Sequence, residues 1–139
     1  MTNEVHQTFA DAAVESAFAA FPAEAQKTAF ALRDLIFDVA AQTPQAGPIE
    51  ETLRWGQPAY LTSQSKTGST LRIGVMKTGE AAIFAHCATT IISTYAATFP
   101  EMDRIEGNRA VVFANVDDIV PERLRLLIRH GLTYHLADG

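Results

Sequence analysis

Apolar residues recur at helical spacing near both ends of the chain and alternate with polar ones in its middle. Val14, Phe18 and Phe21 follow one another at helical intervals and predict a short helix over residues 8–20, with Thr8 as its cap. Pro22 suits the first position of a longer helix. There Glu24 meets the positive end of the dipole, and Ala25, Ala29, Leu32, Ile36 and Val39 form one stripe. This helix must stop by Gln42, because Thr43-Pro44 disfavours helical geometry and Gly47-Pro48 marks a loop. Thr89 or Thr90 can cap a third helix that turns Ile91, Ile92, Tyr95 and Phe99 inward and ends at Pro100. Pro121 opens a last helix with the stripe Leu124, Leu127, Ile128, Gly131 and His135, flanked by Tyr134, and Asp117 and Asp118 are placed to stabilise its start.

The intervening pattern is that of strands. Leu53 and Trp55 are predicted to share one face of an extended segment while Arg54 takes the other, and Pro58, which lacks a donor, confines the continuation to an edge or a bulge. Residues 62–68 are polar and turn-like. Leu71, Ile73 and Val75 then alternate with Arg72, Gly74 and Met76, as in a strand buried on one side. Thr78-Gly79 suits a hairpin turn into residues 81–87. A two-residue loop there pairs Leu71 with His86 and Ile73 with Phe84 and sets Cys87 beside Arg72 and Met76; a loop one residue longer inverts the assignment. Gly107-Asn108 signals a further hairpin between Arg104-Ile105 and residues 110–113. Helices at both ends of such a run of strands predict an α+β two-layer sandwich, with an antiparallel sheet of about five strands. One sheet face is packed on helices. The other is left open for Trp55, Tyr60, Arg72 and Met76.

Length and composition narrow this picture without adding a reaction. At 139 residues and 47% hydrophobic content the chain is expected to form one domain, residues 1–20 being a helical extension of it. Residues 1–51 hold eight acids and two bases, residues 52–139 eight acids and nine bases. With a net charge of −5, neither part is a footprint for nucleic acid. The single cysteine, Cys87, excludes an intramolecular disulfide framework, and no basic leader or long apolar run is present, so a cytoplasmic protein without a membrane span is expected.

Five segments carry a resemblance: residues 51–60, Phe84-Ala85-His86-Cys87, Phe99-Pro100, residues 106–110 and Leu132-Thr133-Tyr134-His135. In this order they resemble the YdhG-like family, known as domain of unknown function 1801, over about Phe21 to His135. The resemblance implies a compact α+β domain with an antiparallel sheet and no particular reaction. Some relatives are described as frataxin-like iron chaperones, and no iron-ligand motif carries over onto these positions.

The candidate chemistry gathers around residues 50–61. Glu50 and Glu51 point to opposite faces if extended, which argues against a shared proton or ion and for a solvated strand entry; Glu51 can also hold Arg54 or Arg109. His86 and Cys87 diverge for the same reason, zinc would need distant His130 or His135, and a buried cysteine with a hydrogen-bonded core histidine is the simpler reading. Arg54, Arg72 and Arg109 fall on predicted strands, and two on one face can clamp a carboxylate or phosphate. Trp55, Gln57, Tyr60, Arg72 and Arg109 are therefore the main ligand-binding candidates, with His86, Tyr134 and His135 secondary. The expected function is a binding module for a small anionic or aromatic molecule or a protein partner, with a homodimer plausible and no cofactor or metal site assigned. Weak iron handling by exposed carboxylates and acid/base catalysis by His86 or His135 are the alternatives. Phosphate loops, dinucleotide fingerprints, nucleophile elbows and paired-histidine zinc motifs are absent.

Overall fold

The computed structural model describes residues 8–136. Four helices, α1 (Ala12–Ala20), α2 (Ala23–Ala41), α3 (Ile91–Thr98) and α4 (Pro121–Leu132), accompany six strands. These are β1 (Glu50–Arg54), β2 (Gln57–Leu61), β3 (Leu71–Val75), β4 (Ala81–Ala85), β5 (Arg104–Glu106) and β6 (Ala110–Phe113). Every pairing is antiparallel, in the order β1-β2-β3-β4-β6-β5. The α+β layout with one sheet and terminal helices is as expected, with six strands in place of about five. Among the described residues no helix is long and apolar enough to cross a membrane.

The extra strand comes from the Trp55-Gly56 turn. Both residues have positive φ, 52° and 75°, and Arg54 pairs with Gln57 across a two-residue loop. Trp55 therefore does not share a strand face with Leu53. Pro58 also sits away from an edge, because β2 lies between β1 and β3. Counting from the closing pair, Leu53 and Pro58 are a non-hydrogen-bonded pair, so the Pro58 nitrogen points towards β3. The register there reaches only Ala59 and Tyr60, so no ladder donor is lost.

The β3–β4 loop is the longer of the two considered. Leu71 pairs with Ala85, Ile73 with Ile83 and Val75 with Ala81, and the Met76 amide donates to the Glu80 carbonyl across residues 77–79. Period-two alternation then moves Phe84 to the face of Arg72 and Met76, and the strand ends before His86. On the helix side, Leu71, Ile73, Ile83, Val111 and Phe113 are buried against Leu32, Ile36, Leu124 and Ile128. Gly131 permits α4 to approach β3: a Cβ there would stand 2.9 Å from Leu71 Cδ2.

Helix ends differ from expectation by one to three residues, each for a local reason. Asp11, not Thr8, caps α1, its carboxylate accepting from the Ala13 amide at 2.8 Å. Pro22 is the N-cap of α2 rather than its first residue. Asp117 and Asp118 belong to a 3-10 turn, Val116–Asp118, where Asn115 and Asp118 form a capping box before α4 begins. The last helix stops at Leu132, so His135 lies beyond the buried stripe and is exposed.

Candidate functional site

The helix-free face of the sheet is best built row by row from the register. One row across the strands runs Thr52, Ala59, Arg72, Phe84, Ala110 and Glu106; beside it the closing pair Arg54 and Gln57 lies next to a row of Gly74, Ala82, Val112 and Arg104, with the Gln57 side chain over Gly74. The floor is small and apolar: Ala59, Ala82, Ala110 and Val112 are all buried, with Phe84 and Met76 packed over the last three.

Arg72 rises from the middle of this floor. Its Nη1 donates to Gln57 Oε1 at 2.7 Å. Its guanidinium carbon stands 5.2 Å from the Trp55 ring centre and 5.6 Å from that of Phe84. Gln57 can reach across because Gly74 has no side chain; a Cβ at Gly74 would lie 2.2 Å from Gln57 Nε2. Burial, and then the positive charge of Arg109, lower the Arg72 pKa from its ordinary value, with Cys87 acting in the opposite sense. Among the described residues neither Arg72 nor Arg109 has a carboxylate within ion-pair distance. Arg104, on the far border, is by contrast taken by Glu80 at 2.9 Å.

Trp55 adds the largest exposed apolar surface, with 80% of its area accessible. A bulky residue at positive φ costs about 1–3 kcal/mol, and an exposed cation–π contact returns only about 0.5–1 kcal/mol. Asn-Gly is the favoured pair for such a turn. Trp55→Asn is therefore expected to raise the melting temperature by about 2–4 °C in a thermal scan. An unchanged or lower value would show that the indole contributes more to the fold than this geometry allows.

The other sequence candidates divide into separate places. Tyr60 faces the helices, not the open face: it is fully buried, and its hydroxyl donates to Glu51 Oε2 at 2.7 Å. Glu51 is no solvated strand entry and holds neither Arg54 nor Arg109. It accepts from buried Arg33, Nε to Oε2 at 2.6 Å and Nη2 to Oε1 at 2.9 Å. Phe9 and Phe37 lie against that guanidinium at 3.9 and 5.0 Å. Burial opposes the Arg33 charge, yet the Glu51 hydrogen bond and charge outweigh it, so the net shift is upward. Burial and then Glu51 push the Tyr60 phenol well above its usual value. A second triad of the same chemistry joins α3, the turn before β5 and α4. Tyr95 donates to Asp103 Oδ2 at 2.6 Å, and Arg123 Nη2 donates to Asp103 Oδ1 at 3.0 Å. The Tyr95 phenol is also raised, by burial and then by Asp103.

Arg109 sits in the three-residue turn between β5 and β6, not on a strand. His86 and Cys87 are exposed in the loop after β4 rather than buried in it. Asn108 ties that loop to the β5–β6 turn by donating to the Cys87 carbonyl at 2.8 Å. The Tyr134 hydroxyl accepts from the Thr90 amide at 3.2 Å, and its ring contacts those of His130 and His135 at 5.4 and 5.5 Å between centroids. Among the described residues no three His, Cys, Asp or Glu side chains are grouped to hold a metal ion. No family model, curated protein or solved structure matches the chain.

A groove of about 730 Å³ lies in the helical layer, between α2 and the segment leading into α4, lined by Leu35, Phe37, Val116 and Ile119 with Asp34 and Asp38 at its rim. The Asp38 carboxylate is engaged by Arg125. None of the ligand-binding candidates named from the sequence lines this groove. The open face gathers Trp55, Gln57 and Arg72, with Arg109 in electrostatic reach. Of its members, Gly74 and Phe84 escape a reading based on side-chain type, and the alternation Arg72-Ile73-Gly74 is the signal that places Gly74 beside Arg72.

Proposed function

We propose that this domain is a binding module that takes an anionic ligand on its open sheet face, with Arg72 as the anchor. The observation that carries the reading is a half-buried guanidinium whose one hydrogen-bond acceptor among the described residues is the neutral Gln57 carbonyl oxygen. A cation so placed is incompletely satisfied, and an incoming carboxylate or phosphate offers it charge-assisted bonds. Gln57 orients the fork, and Arg109 adds field. The order of sequence segments supports placing the chain among YdhG-like domains, which adds no reaction to this reading.

Inorganic phosphate is a direct probe, since Trp55 is the single tryptophan and its fluorescence reports on the site. A saturable change is expected at low ionic strength. Arg72→Gln should weaken it by tenfold or more, while Arg104→Gln, on an arginine already paired with Glu80, should leave it within twofold. Equal affinity of the Arg72→Gln and unaltered proteins would overturn the assignment.

A further inference from the structure

The two features that flank Arg72 narrow the ligand class. Arg72 and Arg109 are two cations without an ion-pair partner among the described residues, which favours a dianion over a monocarboxylate. Beside them stands an indole that is 80% exposed, held at the tip of a two-residue turn at positive φ. Hydrophobic burial cannot account for an aromatic ring in that position. A planar ligand group stacked on it can, because every heteroaromatic base has a face that an indole accepts. The register sets Ala110, next to Arg109, two strands from Arg72, roughly 10 Å across the sheet. The Arg109 charge acts on the Arg72 guanidinium across that distance, so one bound molecule whose ring reaches the β1–β2 turn meets the field of both cations.

We infer that the open face binds a phosphomonoester carried on a planar heteroaromatic group, the chemistry of a nucleoside monophosphate. The ring stacks on Trp55, and the phosphate is held by Arg72 with Arg109 as the second cation. This rests on the anion-binding reading above and adds the stacking subsite and the dianion preference to it. Gln57 keeps one edge of the Arg72 fork occupied, so the remaining N–H groups face the phosphate.

The test is calorimetric titration of the full chain with adenosine monophosphate, inorganic phosphate, adenosine and 1-naphthoate. Adenosine monophosphate is expected to bind at least tenfold tighter than each of the other three. Trp55→Asn should remove that preference over inorganic phosphate while leaving phosphate affinity within threefold. Arg109→Gln should weaken adenosine monophosphate more than 1-naphthoate. If inorganic phosphate binds as tightly as the nucleotide, or Trp55→Asn leaves nucleotide affinity unchanged, the stacking subsite is refuted and anion binding stands. Equal affinity for 1-naphthoate refutes the dianion preference. If neither phosphate species binds, both this inference and the reading beneath it fail. Circular dichroism of each variant separates loss of binding from loss of fold.

Discussion

Glu51→Ala is expected to destabilise the fold by about 3–5 kcal/mol, a large part of the roughly 5–15 kcal/mol typical of a domain. The substitution removes a carboxylate that is only 6% exposed and that accepts three hydrogen bonds, two from Arg33 and one from Tyr60. Arg33 itself is fully buried. Its guanidinium then loses the bidentate partner that raises its pKa, in a position where water cannot take over. Urea unfolding measures the loss directly, with Glu50→Ala as the control, since Glu50 is exposed on the neighbouring position. The triple variant Arg33→Met, Glu51→Leu, Tyr60→Phe should recover most of the stability, because replacing a whole buried ionic group by apolar residues of similar size is often neutral. A loss below 1 kcal/mol for Glu51→Ala would show that the triad is not the tie between α2 and the β1–β2 hairpin that its distances indicate.

That triad also marks where sequence patterning stops being sufficient. The stripe of α2 was legible because Ala25, Ala29, Leu32, Ile36 and Val39 are all apolar and all buried or nearly so. Arg33 lies four residues after Ala29 and three before Ile36, so the same periodicity turns it inward, against the expectation set by its charge. Its partners could be paired only once the turn at Trp55-Gly56 was known. With Gly56 as the sole turn signal and Trp55 a residue rarely found at positive φ, the segment reads as one extended piece and Tyr60 drifts to the wrong face. Once Arg54 and Gln57 close the loop, Glu51 must oppose Tyr60. The β3–β4 hairpin shows the same sensitivity: one residue of loop length decides whether Phe84 lies in the core or beside Arg72. Arg72 was legible as a candidate because an arginine between Leu71 and Ile73 must face away from the core. Its incompletely paired state was not, because that depends on Glu80 pairing with Arg104 across strands remote in sequence.

The second large effect is expected in alkali. Stability should fall steeply above pH 10, by about 5 kcal/mol at pH 12, through Tyr60 and Tyr95 alone. Both phenols have pKa values raised in the fold, by burial first and by Glu51 or Asp103 next. In the unfolded chain they ionise near the ordinary tyrosine value of about 10. A raised folded pKa means that the stabilisation is fully present below that unfolded value and is lost as pH climbs towards the folded one. In this window the unfolded state releases protons that the folded state retains, so each tyrosine contributes a slope of about 1.4 kcal/mol per pH unit. The two triads act together because each phenol must give up its proton next to a buried carboxylate that it already serves as donor. Urea midpoints measured from pH 9 to 12 check the slope, and absorbance at 295 nm reports tyrosinate directly. Tyr60→Phe with Tyr95→Phe removes both titrating groups and should flatten the alkaline limb by about 2–3 kcal/mol per pH unit, even though it lowers stability at neutral pH by the loss of two hydrogen bonds. Parallel limbs for the variant and the unaltered protein would mean that the phenols ionise in the folded state as they do in the unfolded one, and would overturn this account of the alkaline limb.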